Sequence, residues 1–156
     1  MKIGFSGHQN APEHAMRFLR GAVHELVTAE PDSIGITSLA AGADQTFAQV
    51  VLDSGGQLHA VLPCEGYDRT FSTTTDLCLY TSLLERSSTV TNLPFPEAKE
   101  EAFLAAGIVV CERCDILLAL WDGEPAAGLG GTADIVSYAD AIGRNTKIIW
   151  PPGLSR

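Results

Sequence analysis

Positive charge is what this sequence has least of. Ten lysines and arginines stand against 19 aspartates and glutamates, a formal net charge of −9, and the ten are spread over all 156 residues without a run. A duplex-binding surface needs clustered cations to neutralise phosphates, so nucleic acid is not expected as a partner. The same deficit does not exclude a small anion, because backbone N–H groups at a helix start hold phosphate without any basic side chain. Long apolar runs are missing as well; none approaches the roughly 20 residues of a membrane span. The first ten residues, MKIGFSGHQN, hold one lysine and no apolar stretch of the kind a secretory signal carries. A cytoplasmic protein without a membrane partner is the expectation. Cysteine is limited to Cys64, Cys78, Cys111 and Cys114. CERC is a single Cys-x-x-Cys with no second pair, and His8, His14, His24 and His59 are scattered, so no metal site is expected. Cys111 is read as core-facing on a helix, with Cys114 near its end. Repeats, linkers and low-complexity tracts are absent, and a 46% hydrophobic content suits one domain over 1–156.

What is there is an alternation. KIGFSG (Lys2–Gly7) predicts a strand ending in a turn. A helical pattern follows, with Phe18/Leu19, Ala22/Val23 and Leu26/Val27 at helical spacing and Pro12 placed for a first turn. Ser33–Leu39 predicts a second strand, and GADQTFAQVVLDSG a second helix with Phe47, Val50 and Val51 on one face and glycines closing it. Gln57–Pro63 predicts a third strand. A helix from about Thr74 is opened by the capping pair Thr73 and Asp76, with Leu77, Tyr80 and Leu84 as its stripe. TVTNLPF is a short extended segment. EAKEEAFLAAGIVVCERC is a helix carrying Phe103, Ala106 or Gly107, Val110 and Cys114 on one side. DILLALW is unbroken enough to be a strand buried on both faces. GTADIVSYADAIGR is the last helix, with Ile135, Tyr138, Ala139 and Ile142 aligned, and TKIIWP the last strand. Trp150 with PPG is terminal packing. Strands alternating with helices predict an α/β fold, a Rossmann-like three-layer α/β/α domain with a mainly parallel sheet.

In such a sheet ligands bind at the carboxyl ends of the strands, near the switch in strand order. Four loops fall there: SGHQN, SLAAGAD, LPCEGY and WDGEPAAGLGGT. Three are rich in small residues. Ser6, Gly7 and His8 end the first strand, Gly42 enters the second helix, and Gly128–Thr132 enters the last. Helix starts expose N–H groups without an intrahelical partner, glycine lets a ligand approach that backbone, and Thr132 adds a hydroxyl. Together they form a cradle for phosphate or pyrophosphate. Taken singly, each is also a tight strand-to-helix turn. Neither GxGxxG after the first strand nor a P-loop is present. His8 is a base, a phosphate donor, or an exposed loop histidine. Asp44 binds a ribose hydroxyl or caps its helix. Tyr67, Arg69 and Phe71 form a lid over a base, Arg69 facing phosphate, or a packed aromatic loop.

The blocks GFSGH, SLAAGADQTFA, VLP with a following Tyr and Phe, and CDILLALWDGEPAAGLGGTADIVSYA resemble the SLOG superfamily from Lys2 to about Trp150. That superfamily includes the Lonely Guy enzymes, DNA-processing protein A and bacterial nucleotide-sensing domains, and the sensor type is the closer likeness. The resemblance implies a Rossmannoid fold and a nucleotide-type ligand, with no further cofactor required. It places Gly130, Gly131 and Thr132 at phosphate, Gly7 and Gly42 close to the ligand, and Trp121 and Asp122 along the pocket. It also implies a homodimer or higher homo-oligomer. The enzymes carry Gly-Gly-x-Gly-Thr-x-x-Glu. Here Gly128, Gly131 and Thr132 match, Leu129 replaces the second glycine, and Ile135 stands at the catalytic glutamate. Counting back nine residues from Asp115, to where the enzymes have an arginine, lands on Ala106.

Cleaving a glycosidic bond requires a carboxylate to stabilise an oxocarbenium-like sugar and to activate water. Isoleucine does neither. Asp134, about 100° round the helix from Ile135, is either a substitute general base or a first-turn acid favoured by the helix dipole. Two functions therefore stand: a nucleotide-binding sensor or regulatory module, and a nucleoside 5′-monophosphate phosphoribohydrolase using Asp134 or His8.

Overall fold

The computed structural model describes residues 1–125 and 129–155. Its elements run β1 (Lys2–Gly7), α1 (Glu13–Ala29), β2 (Ile34–Thr37), α2 (Ala43–Asp53), β3 (Gln57–Cys64), a 3-10 turn (Tyr67–Thr70), α3 (Thr74–Glu85), β4 (Thr89–Phe95), α4 (Glu100–Arg113), β5 (Ile116–Leu120), α5 (Thr132–Ala141) and β6 (Asn145–Ile149). The strands form one sheet in the order β4-β3-β2-β1-β5-β6, and every pairing is parallel.

The sheet is covered on both sides, as the apolar run in β5 requires. Leu118 and Leu120 join the cluster made with Leu19 and Val23 of α1 and Phe47 of α2. Leu117 points the other way, into the cluster of Val110 from α4 and Ile135 from α5. Each such leucine contributes about 1.5–3 kcal/mol when fully buried. The four-residue repeat Ala15, Leu19, Val23, Val27 is the face that α1 buries. α3 starts where the Thr73 hydroxyl accepts the Asp76 N–H at 3.1 Å. β4 is an edge strand, which is where Pro94 is tolerated. It pairs with β3 through a register shift between Leu62 and Cys64. Cys111 and Cys114 are both buried.

Two predicted stripes are turned relative to the core. On α4 the buried residues are Ala102, Ala106, Val110 and Cys111, while Phe103 is 38% exposed. Small residues face the sheet because α4 lies close to it. On α5, Ile135 and Ala139 are buried but Ile142, beyond the last turn, is exposed.

Candidate functional site

β1 lies between β2 and β5, so the chain departs from it in both directions and the switch in strand order falls at β1/β5. Gly7 is in register with Leu120 there, and the His8 N–H reaches the Leu120 carbonyl at 3.4 Å. Past that edge opens a cavity of about 540 Å³, within the usual size of small-molecule sites.

Its floor is the end of β1: Ser6, Gly7 and His8. One wall is the start of α5, with Gly130, Gly131 and Thr132. The Ser6 hydroxyl donates to Thr132 Oγ1 at 3.4 Å, tying this wall to the floor. No side chain caps α5 at Gly131, so its first-turn N–H groups, which a helix cannot satisfy internally, lie beside the cavity. Opposite are Ser38, Ala40 and Asp44 from the β2–α2 connection. Tyr67, Phe71 and Phe103 make an aromatic side. Phe71 stacks on Tyr80 with centroids 4.7 Å apart, and Tyr67 meets Tyr80 edge-on at 5.6 Å.

Asp44 is 7% exposed. It accepts the Ala40 N–H at 3.4 Å and also bonds the Ser38 N–H and the Thr37 hydroxyl. Burial outweighs these three bonds and pushes its pKa up to about 7. Its carboxyl thus holds the β2–α2 loop and faces the cavity at once. His8 is no exposed loop histidine. Its Nε2 lies 3.4 Å from Asp122 Oδ1, their side chains are 13% and 7% exposed, and its ring sits edge-on to Trp150. Asp122 also accepts the Glu124 N–H at 3.0 Å, and Trp121 Nε1 donates to the Glu124 carbonyl at 2.7 Å. Trp121 lines the cavity; Asp122 stands behind His8 and does not.

Several expected positions lie elsewhere. Gly42 does not line the cavity. Its φ of +86° and the space beside it explain the glycine: a Cβ there would run into the carbonyl of Gln9. Arg69 is exposed, and its guanidinium folds over Gly66 rather than facing phosphate. Gly130 does border the cavity, yet its φ of +84° and its approach to the Leu104 N on α4 also require a glycine. Asp134 points away from the cavity floor. Its carboxylate accepts the Gly130 N–H at 2.9 Å and borders a separate depression with Pro125 and Ser137. That is a cap's position, whereas Ile135 lines the main cavity and rests on Gly107. Gly128 lies outside the described residues. The sequence did not single out Ser38 or Phe103 for the site: Phe103 was read as part of the core-facing α4 stripe, which the structure starts one residue earlier, at Ala102.

A parallel sheet with a crevice at its switch point defines a Rossmannoid α/β fold. The solved structures that share this fold include two of DNA processing protein A. The Streptococcus pneumoniae protein superposes at a TM-score of 0.76 with 16% identity, over 99% of this chain and 52% of that one. The Helicobacter pylori protein, described for its single-stranded DNA binding mode, gives 0.73 and 13%, over 99% and 68%. A molybdenum cofactor binding protein from Rippkaea orientalis gives 0.63 and 15%, over 94% and 74%. The chain thus spans about half the length of the pneumococcal protein. No family model matches the chain, and no curated protein matches it in sequence.

The single-stranded DNA binding of the Helicobacter protein overturns the expectation that nucleic acid is excluded. That expectation rested on duplex neutralisation by clustered cations. Single strands are also held by stacking on aromatic side chains, and a whole-chain charge of −9 says nothing about that. Among the described residues no helix is long and apolar enough to cross a membrane.

Proposed function

We propose that the chain binds a nucleotide or nucleotide-derived small molecule at the carboxyl edge of its sheet and works as a sensor or regulatory module. The observation that carries this is the 540 Å³ cavity at the β1/β5 switch. It combines a helix start whose N-cap, Gly131, has no side chain, and two hydroxyls for a phosphate, with an aromatic side for a planar ring. The cofactor binding of the Rippkaea protein supports a small-molecule ligand on this fold. Output would pass through self-association or a separate partner. The test is mass spectrometry of whatever co-purifies with the gently denatured protein. A nucleotide-type mass is expected. A ligand-free protein whose melting temperature no nucleoside or nucleotide raises would sink the reading.

The second reading, a phosphoribohydrolase, is kept alive by Asp44, a buried carboxyl in the cavity that changes charge near neutral pH. Incubation with AMP, CMP, GMP and UMP separates the two. The binding reading predicts no free base above background; base release lost in both Asp44→Asn and His8→Gln would establish the enzyme.

A further inference from the structure

One side of the cavity gathers aromatic rings and carboxyl groups. Tyr67 of the 3-10 turn is the hub of the rings. Phe71 stands at 66° to it with centroids 5.4 Å apart, and Phe103 of α4 at 57° and 6.5 Å. All three line the cavity, and their inclined planes make a corner rather than a stack. Phe103 is 38% exposed, so a large apolar ring is left at the cavity instead of in the core.

Two carboxyl groups stand on the same side. Asp76, in the first turn of α3, lines the cavity. Its carbonyl accepts Gln45 Nε2 at 3.1 Å, which ties α3 to α2 beside Asp44. Asp44 reaches the hub of the rings: burial, and after it the nearby Asp44 carboxyl, hold the Tyr67 hydroxyl above its ordinary range. No cation answers these groups from within. Among the described residues that line the cavity none is lysine or arginine, and Arg69 lays its guanidinium over Gly66. His8, which does line it, has Asp122 at 3.4 Å to balance a charge.

The faces of aromatic rings carry negative potential and attract cations, more strongly where water is excluded. Carboxyl groups beside the rings add to the attraction and offset the cost of dehydrating a cation. A neutral ring gains from the aromatic contacts alone. Resting on the nucleotide-binding reading above, we propose that the aromatic side of the cavity takes a positively charged, N-alkylated base, held by Tyr67, Phe71 and Phe103 together with Asp76 and Asp44. Asp44 joins by losing its proton to solvent. Its pKa of about 7 leaves it partly protonated near neutrality, and a cation beside it favours the ionised form. Facing it are the Thr37 hydroxyl, the Ser38 and Ala40 N–H groups and the neutral Tyr67 hydroxyl. Asp76, His8 and Glu124 are the other titratable groups along the cavity among the described residues. Binding of a cation therefore expels part of a proton.

Isothermal titration calorimetry of the full chain at about pH 7 tests this with pairs that differ in ring charge. They are 1-methyladenosine 5′-monophosphate against AMP, 3-methylcytidine 5′-monophosphate against CMP, and nicotinamide mononucleotide against its reduced, uncharged form; GMP and UMP are further neutral probes. In the pair that binds, the cationic member is expected to bind at least about tenfold tighter. A neutral probe that binds as tightly as the tightest cationic one overturns the proposal and leaves the nucleotide reading standing. Binding of none of the eight overturns both. Heats measured in two buffers of different ionisation enthalpy are expected to show up to about half a proton released by the cationic member beyond its neutral partner. No release, or a release that persists in Asp44→Asn, overturns the part given to Asp44. Phe71→Leu and Asp76→Asn are each expected to lower the cationic-to-neutral affinity ratio about threefold or more. A ratio unchanged in both variants overturns the placement of the charge on the aromatic side.

Discussion

Asp44 carries the clearest residue-level consequence. Its ordinary pKa is 3.8 and burial raises it to about 7. Between these values the folded chain keeps a proton that the unfolded chain releases, so this group's contribution to stability falls as pH rises through the window. Asp44→Asn removes the titration and keeps an oxygen for one of the loop N–H bonds. Denaturant unfolding at several pH values from about 5 to about 8 checks this. The wild type is expected to lose stability relative to Asp44→Asn as pH rises; two parallel curves would show that the carboxyl is not titrating there. The sequence marked Asp44 through the glycine before it and its place at a helix start. It could not show that the carboxyl is buried, because burial comes from α3 and the aromatic turn closing over it from 20 to 40 residues further along. Asp134 shows the opposite limit. Its position in the sequence allowed a cap or a base, and only the structure shows its carboxylate accepting the Gly130 N–H at 2.9 Å.

The contact between α4 and α5 sets how the Gly130–Thr132 wall of the cavity stands, and Gly107 is its pivot. A Cβ on Gly107 would collide with the end of the Ile135 side chain. Within a helix, glycine to alanine favours the helix by about 0.8–1 kcal/mol. Overpacking a core costs roughly 1–3 kcal/mol, so in the native background Gly107→Ala is expected to destabilise. In an Ile135→Ala background the obstruction is gone and the same substitution is expected to stabilise. A double-mutant cycle by denaturant unfolding reads the change of sign, and additive effects would mean the two residues do not press on each other. Gly42 is the corresponding pivot for the β1–α1 and β2–α2 loops. Gly42→Ala, strained at φ +86° and driven against Gln9, is expected to cost at least about 2 kcal/mol. A loss below about 0.5 kcal/mol would refute the close approach. Element identities were legible because hydrophobic period changes from two to nearly four at each boundary. Strand order was not, since no local pattern tells β5 to pair beside β1 rather than beside β4. The α4 stripe was displaced for a related reason. Small side chains at Ala102 and Ala106 are what let the helix sit on the sheet, and a stripe begun at the larger Phe103 passes over Ala102.

At the scale of the whole molecule, the acidic surplus was the first feature visible and the easiest to misapply. Ten cations against 19 carboxylates fix a field around the chain, not the chemistry of a crevice lined by backbone N–H, hydroxyl and aromatic groups. That is why the count failed as a test for nucleic acid and yet bears on ligand charge. Two acidic features would face an anionic ligand: the long-range field of a −9 chain and the carboxylates of Asp76 and Glu124 at the cavity. Salt separates them. The Debye length shrinks from about 10 Å at 0.1 M to about 3 Å at 1 M, which removes the distant field but leaves charges a few ångströms apart inside a cavity largely coupled. Affinity for a nucleoside triphosphate is therefore expected to gain from salt at first, as the field of the whole chain is screened. It should then level off, because the nearby carboxylates remain. Calorimetric titrations at about 0.05, 0.2 and 1 M sodium chloride would trace this. An affinity that does not respond to salt at all would show that the field of the whole chain does not reach the cavity.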